Sequence, residues 1–149
     1  MGANMARHLQ LDCGHEVTAV YDINKEISAE LAEELGAENS NTLAGVTAAA
    51  DVIITVITND DAMRAIYFAE EDNLLQGASG KTFINCATLS PAAHQEAYEA
   101  GKQVGASVLE GAMASSISHA REGNLYLMIG GDEEVFDDNR VLLLSLIHI

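Results

Sequence analysis

Gly2 and Asp22 are the first pair whose types and spacing suggest chemistry. A glycine at the start of a helix lets backbone N–H groups approach an anion closely, and the helix dipole favours negative charge there. Asp22 lies 20 residues later, closing an apolar strand, where a carboxylate can accept hydrogen bonds from ribose hydroxyls. The same position suits a turn or helix N-cap. Ile57 and Thr58 end a β-branched run, the place where ligands of open α/β sheets sit, although Ile57 also fits a core. Thr88 belongs to the hydroxyl-bearing segment 85–91, as a ligand contact or, like Ser90, as a helix cap. Ser115 and Ser116 offer two hydroxyls and adjacent N–H groups for a carboxylate or another oxyanion. Their competing reading is an ordinary surface loop.

The elements that must position these residues alternate between helix and strand. Residues 2–12 read as a helix with Met5, Leu9 and Leu11 as its apolar stripe, stopped by Gly14. A short strand, Glu16–Tyr21, precedes a helix from about 24 to 35, with Ile27, Leu31 and Leu35 four apart and Gly36 as its C-cap. A short helix at 42–49 leads into Val52–Ile57, whose unbroken β-branched run predicts a strand covered on both faces. Helical stretches follow at 60–68 and 70–76, then a strand at 82–86. Pro91 is placed as the first residue of a helix over 91–104. A strand at 107–109, an irregular segment at 110–118 and a strand at 125–129 come next, and Gly130-Gly131-Asp132 turns into a last acidic helix. This order predicts an α/β fold with a doubly wound parallel sheet. The apolar run 142–149 lacks the helical pattern of 132–141 and resembles translated sequencing-adapter read-through. It is read as a non-native tail outside a domain spanning 1–141.

Composition bounds the rest. The 149 residues suffice for one core, and 48% of them are apolar with only 5% aromatic, so Ala, Val, Ile and Leu must build it. A net charge of −16 repels phosphate backbones and anionic lipid, which excludes nucleic acid and membrane surfaces as partners. Cys13 and Cys86 make no disulfide framework, and a reducing cytoplasm is the expected compartment. The five histidines show no pair at metal-ligand spacing.

Taken in order, these motifs resemble the cofactor-binding domain of the β-hydroxyacid dehydrogenase family, which includes 3-hydroxyisobutyrate and 6-phosphogluconate dehydrogenases. Met1-Gly2 and Met5-Ala6 match the end of its Gly-x-Gly-x-Met-Gly-x-x-Met-Ala motif. Thr88 and Pro91 match its Asp-x-Ser-Thr-x-x-Pro signature, with Asn85 and Ala87 in place of Asp and Ser. Ala114-Ser115-Ser116 stands for its Ser-Gly-Gly, followed by matching Ala120, Gly123 and Leu125. The resemblance implies a Rossmann-like fold in which Met1, Gly2, Asp22, Ile57, Thr58 and Thr88 contact the cofactor. Thr88, Ser115 and Ser116 would contact a small hydroxyacid substrate. NAD is the implied cofactor, since an acidic Asp22 repels the extra phosphate of NADP; Lys25 nearby also admits NADP. The implied reaction is hydride transfer between a β-hydroxyacid and the nicotinamide, in a homo-oligomeric parent enzyme.

By the same comparison the chain starts inside the dinucleotide motif and stops before the family's catalytic lysine. Lys25, Lys81 and Lys102 match neither the motif nor the place of that lysine, so no catalytic residue is assigned. The fragment is expected to be inactive, and its sheet incomplete, with the central first strand missing and two strands left with bare edges. Two other readings stand beside this one. One is a non-catalytic nucleotide-binding module; the other is an imine reductase-like enzyme sharing the domain.

Overall fold

A computed structural model describes residues 1–147. Helix α1 (Gly2–Arg7) runs on into a π turn over His8–Asp12. Strand β1 (Ala19–Val20), helix α2 (Lys25–Leu35) and strand β2 (Glu38–Asn39) follow. Helix α3 (Leu43–Ala49) then leads to β3 (Val52–Thr55), α4 (Asp60–Phe68) and β4 (Thr82–Asn85). The chain continues as α5 (Pro91–Gln103), β5 (Ser107–Met113), α6 (Ile117–Glu122), β6 (Leu127–Gly131), α7 (Glu133–Asp138) and α8 (Arg140–Ser145).

The expected doubly wound α/β sheet is present, in two pieces. Strands β3, β4 and β5 are parallel, with Val52 opposite Thr82 and Thr82 opposite Ser107. The second piece is the parallel pair β1–β2, Ala19 opposite Glu38. Among the described residues no ladder joins β1 to β3, which is where the sequence reading places a missing central strand. Alternation along the strands sends side chains to opposite faces. Ile53, Phe83 and Val108 pack with Met63 and Tyr67 of α4 and Ala97 of α5. Ile84 and Leu109 pack on the other face with Met5, Leu9, Leu143 and Leu146. Helices thus cover both faces. Among the described residues no helix is long and apolar enough to cross a membrane.

Local chemistry explains most element ends. Asn24 caps α2 by accepting from the N–H groups of Glu26 and Ile27, and Gly36 closes it in the left-handed region at φ 67°. Pro91 begins α5 behind the Ser90 cap, as the sequence predicts. The core stripe of α2 is Ser28, Leu31, Ala32 and Leu35, while Ile27 is exposed. Met5 of α1 and Leu9 of the π turn are buried, but Leu11, two residues on from Leu9, faces solvent.

Several expectations are corrected. Residues 70–76 form turns, because their polar groups serve other elements. The Asp72 carboxylate accepts from the N–H groups of Leu43 and Ala44 at 2.7 and 2.9 Å, and Leu74 O accepts from Thr47 Oγ1 at 2.8 Å. A carboxylate at the N-terminus of α3 is favoured by its dipole. The strand expected at 16–21 shrinks to the two residues with a pairing neighbour.

Strand β5 extends to Met113, through part of the segment read as irregular, and β6 runs antiparallel to it, Leu109 opposite Gly131. Helix α6 packs on α1 without recrossing the sheet, so the chain re-enters at the same end and reverses direction. Gly130 and Gly131 therefore lie in a strand. At Gly131, φ is 141° and a Cβ would stand 2.7 Å from Leu109 Cδ2, so only glycine fits there. Residues 142–147, set apart in the sequence reading, belong to the end of α8 and beyond. Leu143 and Leu146 are buried, and Leu125 N–H donates to Leu146 O at 3.1 Å. The last two residues of that tail lie outside the described residues.

Candidate functional site

The carboxyl ends of β3, β4 and β5 gather most of the sequence-predicted residues. Helix α1 begins directly against the segment after β3: a Cβ on Gly2 would lie 3.2 Å from Val56 Cβ. Glycine permits that approach, and the first amides of α1 have no partner within the helix. Met1 is the cap residue and makes no side-chain cap bond. Asn4 Nδ2 donates to Ile117 O at 3.2 Å, so the start of α1 also meets the start of α6.

Ser115 and Ser116 precede α6. Ser115 Oγ accepts from Tyr126 N–H at 2.7 Å, which leaves its own proton to donate. Ser116 caps α6, accepting from His119 N–H at 3.4 Å, and its hydroxyl also meets Ser118 Oγ at 2.8 Å. Thr88 is exposed and donates to Met113 O at 3.1 Å. That bond carries the loop after β4 to the end of β5, two residues short of Ser115. The cap of α5 is Ser90, which accepts from Ala93 N–H, so Thr88 is free of that duty.

Ile57 is half-buried against the core, and Thr58 is exposed beside it. Asp60 ties this segment to the β4 loop by accepting from Ser90 N–H at 3.1 Å and from Ser90 Oγ. Those bonds hold the Asp60 carboxyl below the usual carboxylate range. Asp60 was not singled out in the sequence. Its position just inside α4, after the Asn59 cap, is visible there, but its reach to Ser90 is a tertiary fact.

A buried polar knot lies beneath these loops. Asn85 Oδ1 accepts from Thr55 Oγ1 at 2.7 Å and from Tyr67 Oη at 3.0 Å. It joins the ends of β3 and β4 to α4, while Asn85 Nδ2 has no partner among the described residues. Burial pushes the Tyr67 hydroxyl above its ordinary value. Burial alone pushes the Cys86 thiol up to about 12, an environment unsuited to a nucleophile. Buried His94 donates from Nε2 to Ala87 O at 3.2 Å and stands 3.6 Å from Glu110 Oε1. The sequence reading passed over His94, although its place three residues after Pro91 puts it on the first turn of α5.

Asp22 follows β1 and stands apart from this group. Its Oδ1 accepts from Asn24 N–H at 2.8 Å. Asn24 is the cap of α2, so Asp22 holds the turn with one carboxylate oxygen. Its Oδ2 makes no hydrogen bond among the described residues and suits a ribose hydroxyl. Lys25 Nζ stacks 3.9 Å above the Tyr21 ring. Lys81 pairs with Asp51 at 3.2 Å at the opposite end of the sheet, and Lys102 meets Tyr98 Oη at 3.4 Å. None of the three reaches the loops that hold Thr88 and Ser115.

The residues present therefore fit a dinucleotide. A glycine sits where a Cβ would crowd Val56, free amides begin α1, a carboxylate oxygen is open after β1, and hydroxyls line the ends of β4 and β5. Comparison with known proteins agrees. An uncharacterized oxidoreductase of Bacillus subtilis is 31% identical over 137 residues, 92% of this chain and 46% of that protein. The 3-hydroxyisobutyrate dehydrogenase of Pseudomonas aeruginosa is 27% identical over 143 residues, 96% of this chain and 47% of its own. The solved structure of Mycobacterium tuberculosis 3-hydroxyisobutyrate dehydrogenase with L-serine superposes with a TM-score of 0.87 at 26% identity, covering 99% of this chain and 48% of that one. This chain thus spans about half the length of the relatives it matches. The family described as the NAD binding domain of 6-phosphogluconate dehydrogenase matches residues 1–146, and this chain belongs to it.

Proposed function

We propose that this domain holds NAD across the carboxyl ends of β1, β3 and β4, in an oxidoreductase that moves hydride between the nicotinamide and a β-hydroxyacid such as 3-hydroxyisobutyrate. The observation that carries the reading is the convergence of Gly2, Thr58, Thr88 and Ser115 on adjoining loops. Met1 and Gly2 present helix amides to the pyrophosphate, and Asp22 accepts from the ribose. Ile57 and Thr58 line the path between, and Thr88 borders the nicotinamide. Ser115 and Ser116 face the substrate carboxylate with a hydroxyl proton and nearby N–H groups. The bound cofactor supplies the hydride chemistry; the chain's own part is to bind and orient. The substrate is a small hydroxyacid and the working enzyme a homo-oligomer, as the family resemblance implies. The residues proposed to meet the cofactor all lie within 1–141.

No lysine here reaches the loops that hold Thr88 and Ser115, so the 149-residue chain is expected to bind cofactor without turning over a hydroxyacid. Titration of the chain with NADH, followed by nicotinamide fluorescence, tests the binding. A saturable change supports the reading, and its absence overturns it. Asp22→Ala removes a charged acceptor, expected to weaken NAD by about 2 kcal/mol, roughly thirtyfold. NADP, whose extra phosphate Asp22 repels, should lose less. An unchanged NAD/NADP ratio would remove Asp22 from the site.

A further inference from the structure

At the end of α1 opposite Gly2, the backbone makes an unusual turn. Residues 8–12 form a π turn, in which Cys13 N–H donates to His8 O at 3.1 Å. The wider turn stacks residue 13 over residue 8 and residue 12 beside it, and such turns often mark functional positions. It brings three side chains together. His8 Nδ1 lies 3.0 Å from Asp12 Oδ2, and His8 Nε2 lies 3.3 Å from Cys13 Sγ. A carboxylate on one ring nitrogen and a thiol on the other is the order of a nucleophile, its base and the group that orients the base. We propose that Cys13, His8 and Asp12 form a reactive thiol site for small carbon electrophiles, separate from the cofactor site.

The surroundings support this order. Asp12 Oδ2 can only accept, so Nδ1 carries a proton, and Nε2 faces the Cys13 thiol, which itself donates to Ser145 O at 3.7 Å. Nε2 also lies 3.0 Å from Ser145 O, another acceptor. Once Nε2 has taken the thiol proton, its N–H serves both Ser145 O and the thiolate, and every polar contact of the ring is satisfied. The charged neighbours are few. Arg121 of α6 pairs with Asp12, and His15 Nε2 meets Ser145 Oγ at 3.0 Å. Gly123 makes room for the ring: its φ is 67°, and a Cβ there would fall 2.1 Å from His8 Nε2. Cys13 is half-buried and thus reachable, whereas Cys86 is fully buried.

The reaction is addition to an activated alkene. The Cys13 sulfur forms a bond to the terminal carbon and the alkene's π pair moves to the neighbouring carbon. The proton held on His8 Nε2 is then delivered there. No group leaves and no oxidant is needed.

Acrylamide is the probe, with peptide mass spectrometry reading each cysteine in the whole chain. Cys13 is expected to react about tenfold faster in the native chain at neutral pH than in the urea-unfolded chain, where it behaves as a free thiol. Cys86, protected until the fold opens, reports folding in the same sample. His8→Asn should bring Cys13 to the unfolded rate while Cys86 stays protected. If His8→Asn exposes Cys86, Asp12→Asn, on an exposed side chain, decides in its place and should slow Cys13 severalfold. A native Cys13 no faster than the unfolded one, or a rate untouched by the deciding variant, overturns the proposal.

Discussion

The four-stranded and two-stranded pieces of the sheet differ in what surrounds them. Strand β4 pairs on both sides through Thr82–Asn85, and Phe83 and Ile84 are wholly buried. Strand β1 has two residues, one neighbour and half-buried side chains. Both lie in parallel pairs, but the partner of β1 is the polar β2, Glu38–Asn39, whereas β4 lies beside the β-branched β3, Val52–Thr55. The number of neighbours widens the difference. A parallel strand is stable when it is laddered on both sides and covered on both faces, and β1 has half of that support. The proposed cofactor site inherits the contrast: Thr88 and Thr58 stand on the well-supported piece and Asp22 on the other.

The largest expected effect tests this directly. Phe83→Ala removes a fully buried ring whose centroid lies 5.8 Å from that of Tyr67, and should cost about 3–5 kcal/mol. Val20→Ala in β1 should cost about 1 kcal/mol or less. Urea unfolding followed by circular dichroism gives both numbers, and equal losses would mean that the two pieces form one cooperative sheet.

Alkali should weaken the larger piece next. The Cys86 thiol is raised by burial from 9.0 to about 12. An acid whose folded pKa is raised contributes stability fully below its unfolded value and loses it as pH climbs to the folded one. The unfolded state then sheds its proton first. Unfolding free energy should fall by about 1.4 kcal/mol per pH unit across that window from this thiol. Cys86→Ala should flatten the decline above pH 9.0; a slope that persists undiminished would place its cause elsewhere.

Smaller still is the knot under the loops. Tyr67→Phe deletes the bond to Asn85 Oδ1 and should cost about 1 kcal/mol, visible in the same urea titration. No loss at all would show that Asn85 is satisfied by Thr55 alone. The gentlest probe is amide hydrogen exchange. Amides of β4 should exchange only on global opening, and those of β1 and β2 by local fluctuation. Equal protection in the two pieces would erase the contrast.

Much of this was legible in the residues. The β-branched run at 52–57, the Gly36 end of α2, and Pro91 after Ser90 each specify local structure through neighbours in sequence; the last two formed as read, and the run formed a strand that stops at Thr55. The segment at 70–76 did not. Its helical pattern loses to Asp72, which leaves the local backbone to cap α3. The reversal of β6 was hidden for a similar reason, because it follows from α6 packing on α1. At the site, Gly2, Asp22, Thr88 and Ser115 were visible by type and order. Asp60, His94 and the Asn85 knot were not, since each acts through a partner 7 to 30 residues away.

By itself, then, the sequence determined the alternation of helix and strand, the family, and the residue types available to meet a dinucleotide. Those depend on periodicity, caps and motif order, which operate over a few residues. The tertiary structure decided which strands gain two neighbours, which way β6 runs, and which cysteine lies against a histidine and which is sealed in the core. Those outcomes rest on contacts between distant segments, whose energies no local pattern carries.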